Sequence, residues 1–265
     1  MLCRDIMNVI EKSYSGTYAL EWDNVGLLAG RDDKEVKTVY VAVDATDEVV
    51  DEAVLMKADM LITHHPLIFG GIKQITNQNF IGKRLIKLLQ NDISYYAMHT
   101  NYDVLGMSVM SGKRLHMKNP EVLEVTGHSE NPDTVGFLEG IGRIADLEQA
   151  VTLRQCAYDV KQAFSLESVK VFGDLEGRIH RIAVCPGSGK SALGIAVKKG
   201  ADVLITGDIG HHEGIDAVAQ GLAIIDAGHY GIEHIFVEDM RRYLTEHLEG
   251  VLVEGEPVRH PFVMV

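Results

Sequence analysis

Two six-residue phrases, Ala58-Asp59-Met60-Leu61-Ile62-Thr63 and Ala201-Asp202-Val203-Leu204-Ile205-Thr206, stand 143 positions apart and differ only at Met60 and Val203. Each carries the continuous apolar run of a strand buried on both faces. The first runs into His64, His65 and Pro66, the second into Gly207 and Asp208. A repeated buried strand needs repeated surroundings, so the expectation is two related lobes.

The flanking pattern repeats as well. Val39 to Val43 reads as a buried strand ending at Asp44, and Thr46 is a good N-cap for a helix with Val49, Val50, Ala53 and Val54 on one face. Strand, helix and strand within about thirty residues make a right-handed parallel βαβ unit. In the second copy, Arg181 to Cys185 reads as the strand, Pro186 to Ser188 as a tight turn and Ser191 to Lys199 as the helix. Downstream of the first copy, a helix (Phe80 to Gln90) and a strand (Ile93 to Met98) lead to His99 and Asp103. Downstream of the second, a strand (Ala223 to Asp226) leads to His229 and Glu233, on a long helix running to Leu248. His99 and His229, like Asp103 and Glu233, are 130 apart, so a thirteen-residue deletion reconciles the two halves. An amphipathic first helix (Ile6 to Tyr14) and a last strand (Val251 to Glu254) frame the chain. Between the copies, Val135 to Ile144 suits a strand or hairpin, Val151 to Phe164 a helix and Val169 to Phe172 a strand, while 104–127 shows no firm element. The fold class is α/β with mainly parallel sheets flanked by helices, divided near residue 128 into lobes 1–128 and 129–265. Ligands of open α/β sheets gather at the carboxyl ends of strands, where both histidine groups fall.

A net charge of −13 argues against a nucleic-acid surface, which needs clustered Lys and Arg. Cys3, Cys156 and Cys185 lack the spacing of a disulfide framework or thiolate site. No signal-peptide core and no membrane-length apolar run is visible, so a cytoplasmic setting is expected.

Neighbouring strand residues face opposite ways, so His64 and His65 can serve one site only where the backbone turns. Pro66 favours such a turn by barring the α region for His65; a surface loop or a satisfied core histidine is the alternative. His229 and Glu233, four apart on a helix, share a face. They suit one metal ion or a plain helix-surface hydrogen bond. His99 and Asp103 repeat the spacing, and the three groups together point to metal. Imidazole and carboxylate donors without thiolate suit Zn, Mn, Fe or Co. Five or more candidate ligands exceed what one catalytic zinc uses, so a pair of ions about 3.5–4 Å apart fits better, and metal-assisted hydrolysis follows. Cys185-Pro186-Gly187-Ser188-Gly189-Lys190-Ser191 is not a P-loop, because Val184 stands where its first glycine belongs. Gly187, Ser188 and Gly189 form either an anion-binding turn or an ordinary strand-to-helix turn. Asp208, His211 and His212 can orient ligands, donate protons or cap a helix. Glu21, Trp22, Asp23 and Asn24 line a site or shape an N-terminal turn.

THHPLIF, HTNYD, TGDIGHH and GHYGIE occur in that order, with WDNVGLLAG, VAVDAT and CPGSGKS beside them. In these the sequence resembles, over nearly its whole length, the Nif-three-like family of dinuclear metal-centre proteins, often called GTP cyclohydrolase 1 type 2 homologues. The resemblance implies two interlocked lobes and two divalent ions per chain. It implies the ligands His64, His65, Asp103, His229 and Glu233, with Glu233 bridging. Glu233, Asp208 and His99 are then the candidate catalytic groups, and each lobe supplies half of one site. It further implies a toroidal hexamer of this chain, and hydrolytic opening of the imidazole ring of GTP with release of formate, the Gly187–Gly189 turn holding the triphosphate. Phosphoester hydrolysis would use the same metals, and a metal-binding adaptor without turnover is the non-enzymatic alternative. Some relatives carry a third, inserted domain, and 265 residues leave no room for one.

Overall fold

The computed structural model describes residues 1–129 and 134–263. In chain order its elements are α1 (Cys3–Ser13), β1 (Gly26–Ala29), β2 (Thr38–Ala42), α2 (Asp47–Leu55), β3 (Met60–Thr63), α3 (Phe80–Gln90), β4 (Ser94–Ala97) and α4 (Thr100–Tyr102). There follow α5 (Ser108–Arg114), β5 (Glu121–His128), β6 (Leu138–Thr152), α6 (Leu153–Ala163), β7 (Lys170–Phe172), β8 (Arg178–Ser188), α7 (Leu193–Lys198) and β9 (Val203–Gly207). Then come α8 (His211–Ala219), β10 (Ala223–Asp226), α9 (His229–Glu233), α10 (Ile235–His247) and β11 (Leu252–Gly255). Two compact units result: Met1–Tyr102 with His234–Arg259, and Asp103–Glu233 with the residues from His260 onward.

The first unit holds a five-stranded sheet in the order β1-β4-β3-β2-β11, parallel except at its β1 edge. The side chain of Thr46 accepts the Val49 N–H and starts α2 as the sequence predicts. Val49 and Val50 of that helix, with Leu85 and Leu88 of α3, pack on Tyr40, Leu61 and Tyr95 of the sheet. The boundary read near residue 128 differs from the observed division, because α10 and β11 return to this unit. Leu252 pairs with Thr38, and the Phe236 ring meets Tyr102 edge-on at 4.9 Å.

Just beyond β11, Glu256 accepts the Val43 N–H at 2.7 Å. Burial raises its carboxyl from 4.5 to about 7, the Val43 hydrogen bond offsetting part of this and Asp44 adding to it. Folding therefore favours the protonated acid. The stability it contributes is full below the ordinary carboxyl value and is lost as pH rises through about 7. At this partly exposed position the loss is about 2 kcal/mol after solvent screening. Calorimetry between pH 5 and 8 should show a falling unfolding midpoint, and Glu256→Gln should flatten that fall. An equally steep fall in the variant would refute the assignment.

The second unit holds a six-stranded sheet in the order β5-β6-β8-β9-β10-β7. Its centre, β8-β9-β10, is parallel, and β5, β6 and β7 join antiparallel. Asp103 opens a wide turn through Met107 that continues into α5. The buried Ser108 hydroxyl fixes this turn, donating to the Asp103 carbonyl and accepting the Gly142 N–H. Pro186 to Ser188 is not the tight turn the sequence suggests: β8 runs on irregularly until Ser188 pairs with Gly207.

The repeat survives at the level of register. Val39 pairs with Met60 in the first unit and Ile182 with Val203 in the second, both partners displaced by 143. On the other side, Thr63 pairs with Ala97 and Thr206 with Asp226, a displacement of 129 for the outer strand. The next backbone bonds correspond too, Met98 N–H to Thr63 and Ala227 N–H to Thr206. His99 then follows directly, whereas Gly228, at φ +75°, precedes His229. The thirteen-residue difference is therefore fourteen residues lost before β10 and one gained at Gly228.

Candidate metal centre

In the first unit, His64 and His65 leave the end of β3, and one ring nitrogen each of His64, His65 and His99 lie within 4.8 Å of one another. Local hydrogen bonding explains how consecutive residues achieve this. The hydroxyls of Thr63 and Tyr95 both donate to the His65 carbonyl, at 2.8 and 3.1 Å, and Tyr95 accepts the Leu67 N–H. With Pro66 contributing no N–H, the chain turns there instead of continuing as a strand. The two rings end 4.8 Å apart, tilted by 44°. Phe236 packs against His64 from behind, at 5.4 Å.

Each histidine is held through Nδ1. His64 donates to the Met98 carbonyl (2.8 Å), His65 to Asp44 (2.9 Å) and His99 to Asp23 (2.9 Å). An imidazole whose Nδ1–H is spent on an acceptor presents the Nε2 lone pair, the tautomer a metal ligand needs. Asp23 has no exposed side-chain surface and also accepts the Thr100 N–H and hydroxyl, at 2.9 and 2.6 Å. Burial alone would raise its carboxyl, but the hydrogen bonds from His99 and Thr100 hold it well below the ordinary carboxylate range. Of the two roles open to Glu21–Asn24, Asp23 thus takes a place in the site. Asp44, which lies in VAVDAT without a role assigned from the sequence, follows β2 beside β3 and reaches His65 through the strand register.

The second unit builds its own group. His229 Nδ1–H donates to Asp208 at 2.8 Å, and its Nε2 lies 3.1 Å from Glu233 Oε2. Lone pair and carboxylate at that distance repel unless a proton or a cation lies between them. A carboxylate oxygen of Asp103 is within 4.8 Å of one of Glu233, a second arrangement that a cation would relieve. The Cys185 thiol is pushed up to about 12 by burial and by Asp103, Glu124 and Glu233, so it supplies no thiolate. The donors are nitrogen and oxygen alone, and they fit a borderline or hard divalent ion.

Backbone conformation confirms how tightly this group is set. Asp208 is a non-glycine residue at φ +58°, and Gly187 sits at φ +74°. A Cβ on Gly187 would come 2.5 Å from Glu233 Oε1 and 3.6 Å from His229 Nε2. A Cβ on Gly189 would collide with the Thr206 hydroxyl. Close packing therefore accounts for both glycines, and Ser188 between them is exposed. His211 and His212 begin α8 with their rings against each other and lie outside the close ligand groups among the described residues.

Asp208→Asn tests the Nδ1 anchor, since asparagine also tolerates positive φ. Affinity for a divalent ion, measured by chelator competition, should fall about 10–100-fold with folding stability retained. Unchanged affinity would show that Asp208 does not set the tautomer of His229.

The family model described as Duf34/NIF3 (NGG1p interacting factor 3) matches residues 1–258. A GTP cyclohydrolase 1 type 2 homolog of Clostridium acetobutylicum is 36% identical over 254 residues, covering 94% of this chain and 90% of its own. The crystal structure of a Bacillus cereus protein related to NIF3 superposes with a TM-score of 0.91 at 27% identity, covering 100% of this chain and 99% of its own. A Staphylococcus aureus hypothetical protein superposes with a TM-score of 0.88 at 32% identity, with the same coverage.

Proposed function

The chain belongs to the Duf34/NIF3 family, and from that premise we propose that it is a metal-dependent hydrolase acting on a nucleotide, of the GTP cyclohydrolase kind. The observation that carries this is the set of four histidines, His64, His65, His99 and His229, each with Nδ1 fixed by an acceptor. Fixing Nδ1 in this way leaves Nε2 as the ligating atom of each ring, the tautomer in which a histidine binds a metal ion. The proposed ligands of two divalent ions are His64, His65, Asp103, His229 and Glu233. Bound divalent ions supply Lewis acidity and lower the pKa of water.

The chain's own groups do the rest. Asp44 and Asp208 keep His65 and His229 in the ligating tautomer, and Asp23 does the same for His99. His99 and Asp208 are proposed to handle protons, and Glu233 to draw a proton from the attacking water. One water adds to the purine carbon between the two imidazole nitrogens and the C8–N9 bond breaks, leaving an N-formyl group on N7. A second water adds to that formyl carbon, the C8–N7 bond breaks, and formate leaves with N7 taking up the proton as a free amine. Curated relatives carrying the GTP cyclohydrolase 1 type 2 homolog name support this substrate. A ring of six copies is the proposed assembly, to be read by sedimentation.

Metal analysis of protein purified without chelators should find divalent ions bound, and the loaded protein should release formate from GTP. Release of phosphate instead would reassign the reaction to phosphoester hydrolysis. Bound metal with no turnover across a nucleotide panel would make the chain a metal-binding protein without hydrolytic function.

A further inference from the structure

Trp22 and Phe69 are 61% and 55% exposed, yet both rings lean on the same imidazole. Trp22 meets His99 at 5.9 Å and 74°, and Phe69 meets it at 5.7 Å and 90°. Single exposed aromatics are ordinary on protein surfaces. Two that flank one candidate site are not, particularly when the segments bearing them are tied together.

Trp22 stands at the tip of a turn closed by the Asp23 N–H to the Leu20 carbonyl. On one side of it the Leu20 N–H donates to the Thr100 hydroxyl, and on the other Asp23 is locked to His99 and Thr100. Asn24 then donates from Nδ2 to the Ile68 carbonyl at 2.6 Å. That bond ties the tryptophan turn to the segment bearing Phe69. The hydrogen bonds hold the tryptophan turn and tie it to Ile68, next to Phe69, while both aromatic residues stay more than half exposed. Rigid aromatic surface held open beside a reactive group is the arrangement that stacks a flat ring at low entropic cost.

We propose that Trp22 and Phe69 form a stacking platform for the purine ring of the substrate, placing it beside His64, His65 and His99. This rests on the hydrolytic reading of those histidines for its catalytic purpose, but the binding it describes is measurable without turnover. Within the segment Glu21-Trp22-Asp23-Asn24 the roles then divide, with Asp23 setting His99, Asn24 linking the two loops and Trp22 receiving the base.

Trp22 is the only tryptophan in the chain, so its fluorescence reports on the platform directly. Titration of the metal-loaded protein with GTP and with guanosine should quench it, and inorganic triphosphate should not. By equilibrium dialysis, Trp22→Ala and Phe69→Ala should each weaken guanosine binding about 10-fold, with Trp22→Phe retaining most of it. Metal content should stay at the wild-type level in all three. Wild-type guanosine affinity in both alanine variants would overturn the platform, whether or not GTP is hydrolysed. Emission that changes with protein concentration and not with nucleotide would overturn it too, making the surface an interface between copies. Guanosine binding that depends on Trp22 and Phe69, without any hydrolysis, would uphold the platform and defeat only the hydrolase reading.

Discussion

Glu233→Gln should abolish metal-supported hydrolysis and remove most of the stabilisation that added divalent ion confers. Glu233 is 2% exposed and sits where the second unit's donors converge, 3.1 Å from His229 Nε2 and close to Asp103. Glutamine keeps the volume and so the packing against Gly187, but it replaces an anionic donor with a neutral amide. Loss of an outer group that merely orients a ligand already costs about 10–100-fold, so removing the anionic donor should cost more than about 100-fold in ion affinity. An ion present at a hundred times its dissociation constant stabilises a folded protein by about 2.7 kcal/mol. The increment on adding ion, measured within each protein, should be of that size in the wild type and near zero in the variant. Because each protein is its own reference, a change in the ion-free stability of the variant does not confuse the result. An undiminished increment would remove Glu233 from the ligand set.

Gly207→Ala addresses why the histidine doublet occurs once in a duplicated chain. Gly207 occupies the position that His64 holds in the first unit. A Cβ there would lie 2.5 Å from His229 N, 2.7 Å from its Cα and 2.8 Å from the Gly228 carbonyl carbon. All three are backbone atoms, which cannot swing aside as a side chain would. The residue gained at Gly228 accompanies this approach, and space that a ring fills in one unit is filled by main chain in the other. Alanine should cost about 3 kcal/mol, at the upper end of overpacking penalties, and shift His229 away from Asp208. Chemical denaturation should show the loss, and ion affinity should drop with it. Wild-type stability and affinity would mean that the doublet's absence has another cause.

Much of this was legible in the sequence because the signals were local. The apolar phrases around Met60–Thr63 and Val203–Thr206, the Thr46 cap and the Phe80–Gln90 periodicity each state one element, and each appears where expected. The 143-residue offset of the repeat reappears in the strand register of the two sheets. Signals that depend on distant partners were not legible. The helix read from His229 to Leu248 divides at His234, where no proline or glycine marks a break; the chain passes there from one unit to the other. Pro186-Gly187 looks like a turn, but β8 runs on through it to Ser188, and the Glu233 carboxylate leaves no room for a side chain at Gly187. The candidate ligands follow from spacing and resemblance, whereas the anchoring roles of Asp44 and Met98 depend on the alignment of β2, β3 and β4, which no ligand spacing reveals.

The pairing of β11 with β2 has a consequence for how the protein is made. Leu252 joins Thr38, so one edge of the first sheet waits for a partner more than two hundred residues later in synthesis. Every strand of the second sheet, by contrast, falls within the continuous stretch Asp103–Glu233, so that sheet needs no strand from after α10. Until residue 255 emerges, β2 offers an unpaired row of backbone groups in a half-built sheet. Nascent chains stalled before β11 should therefore bind chaperones and aggregate through that edge, and chains released after it should not.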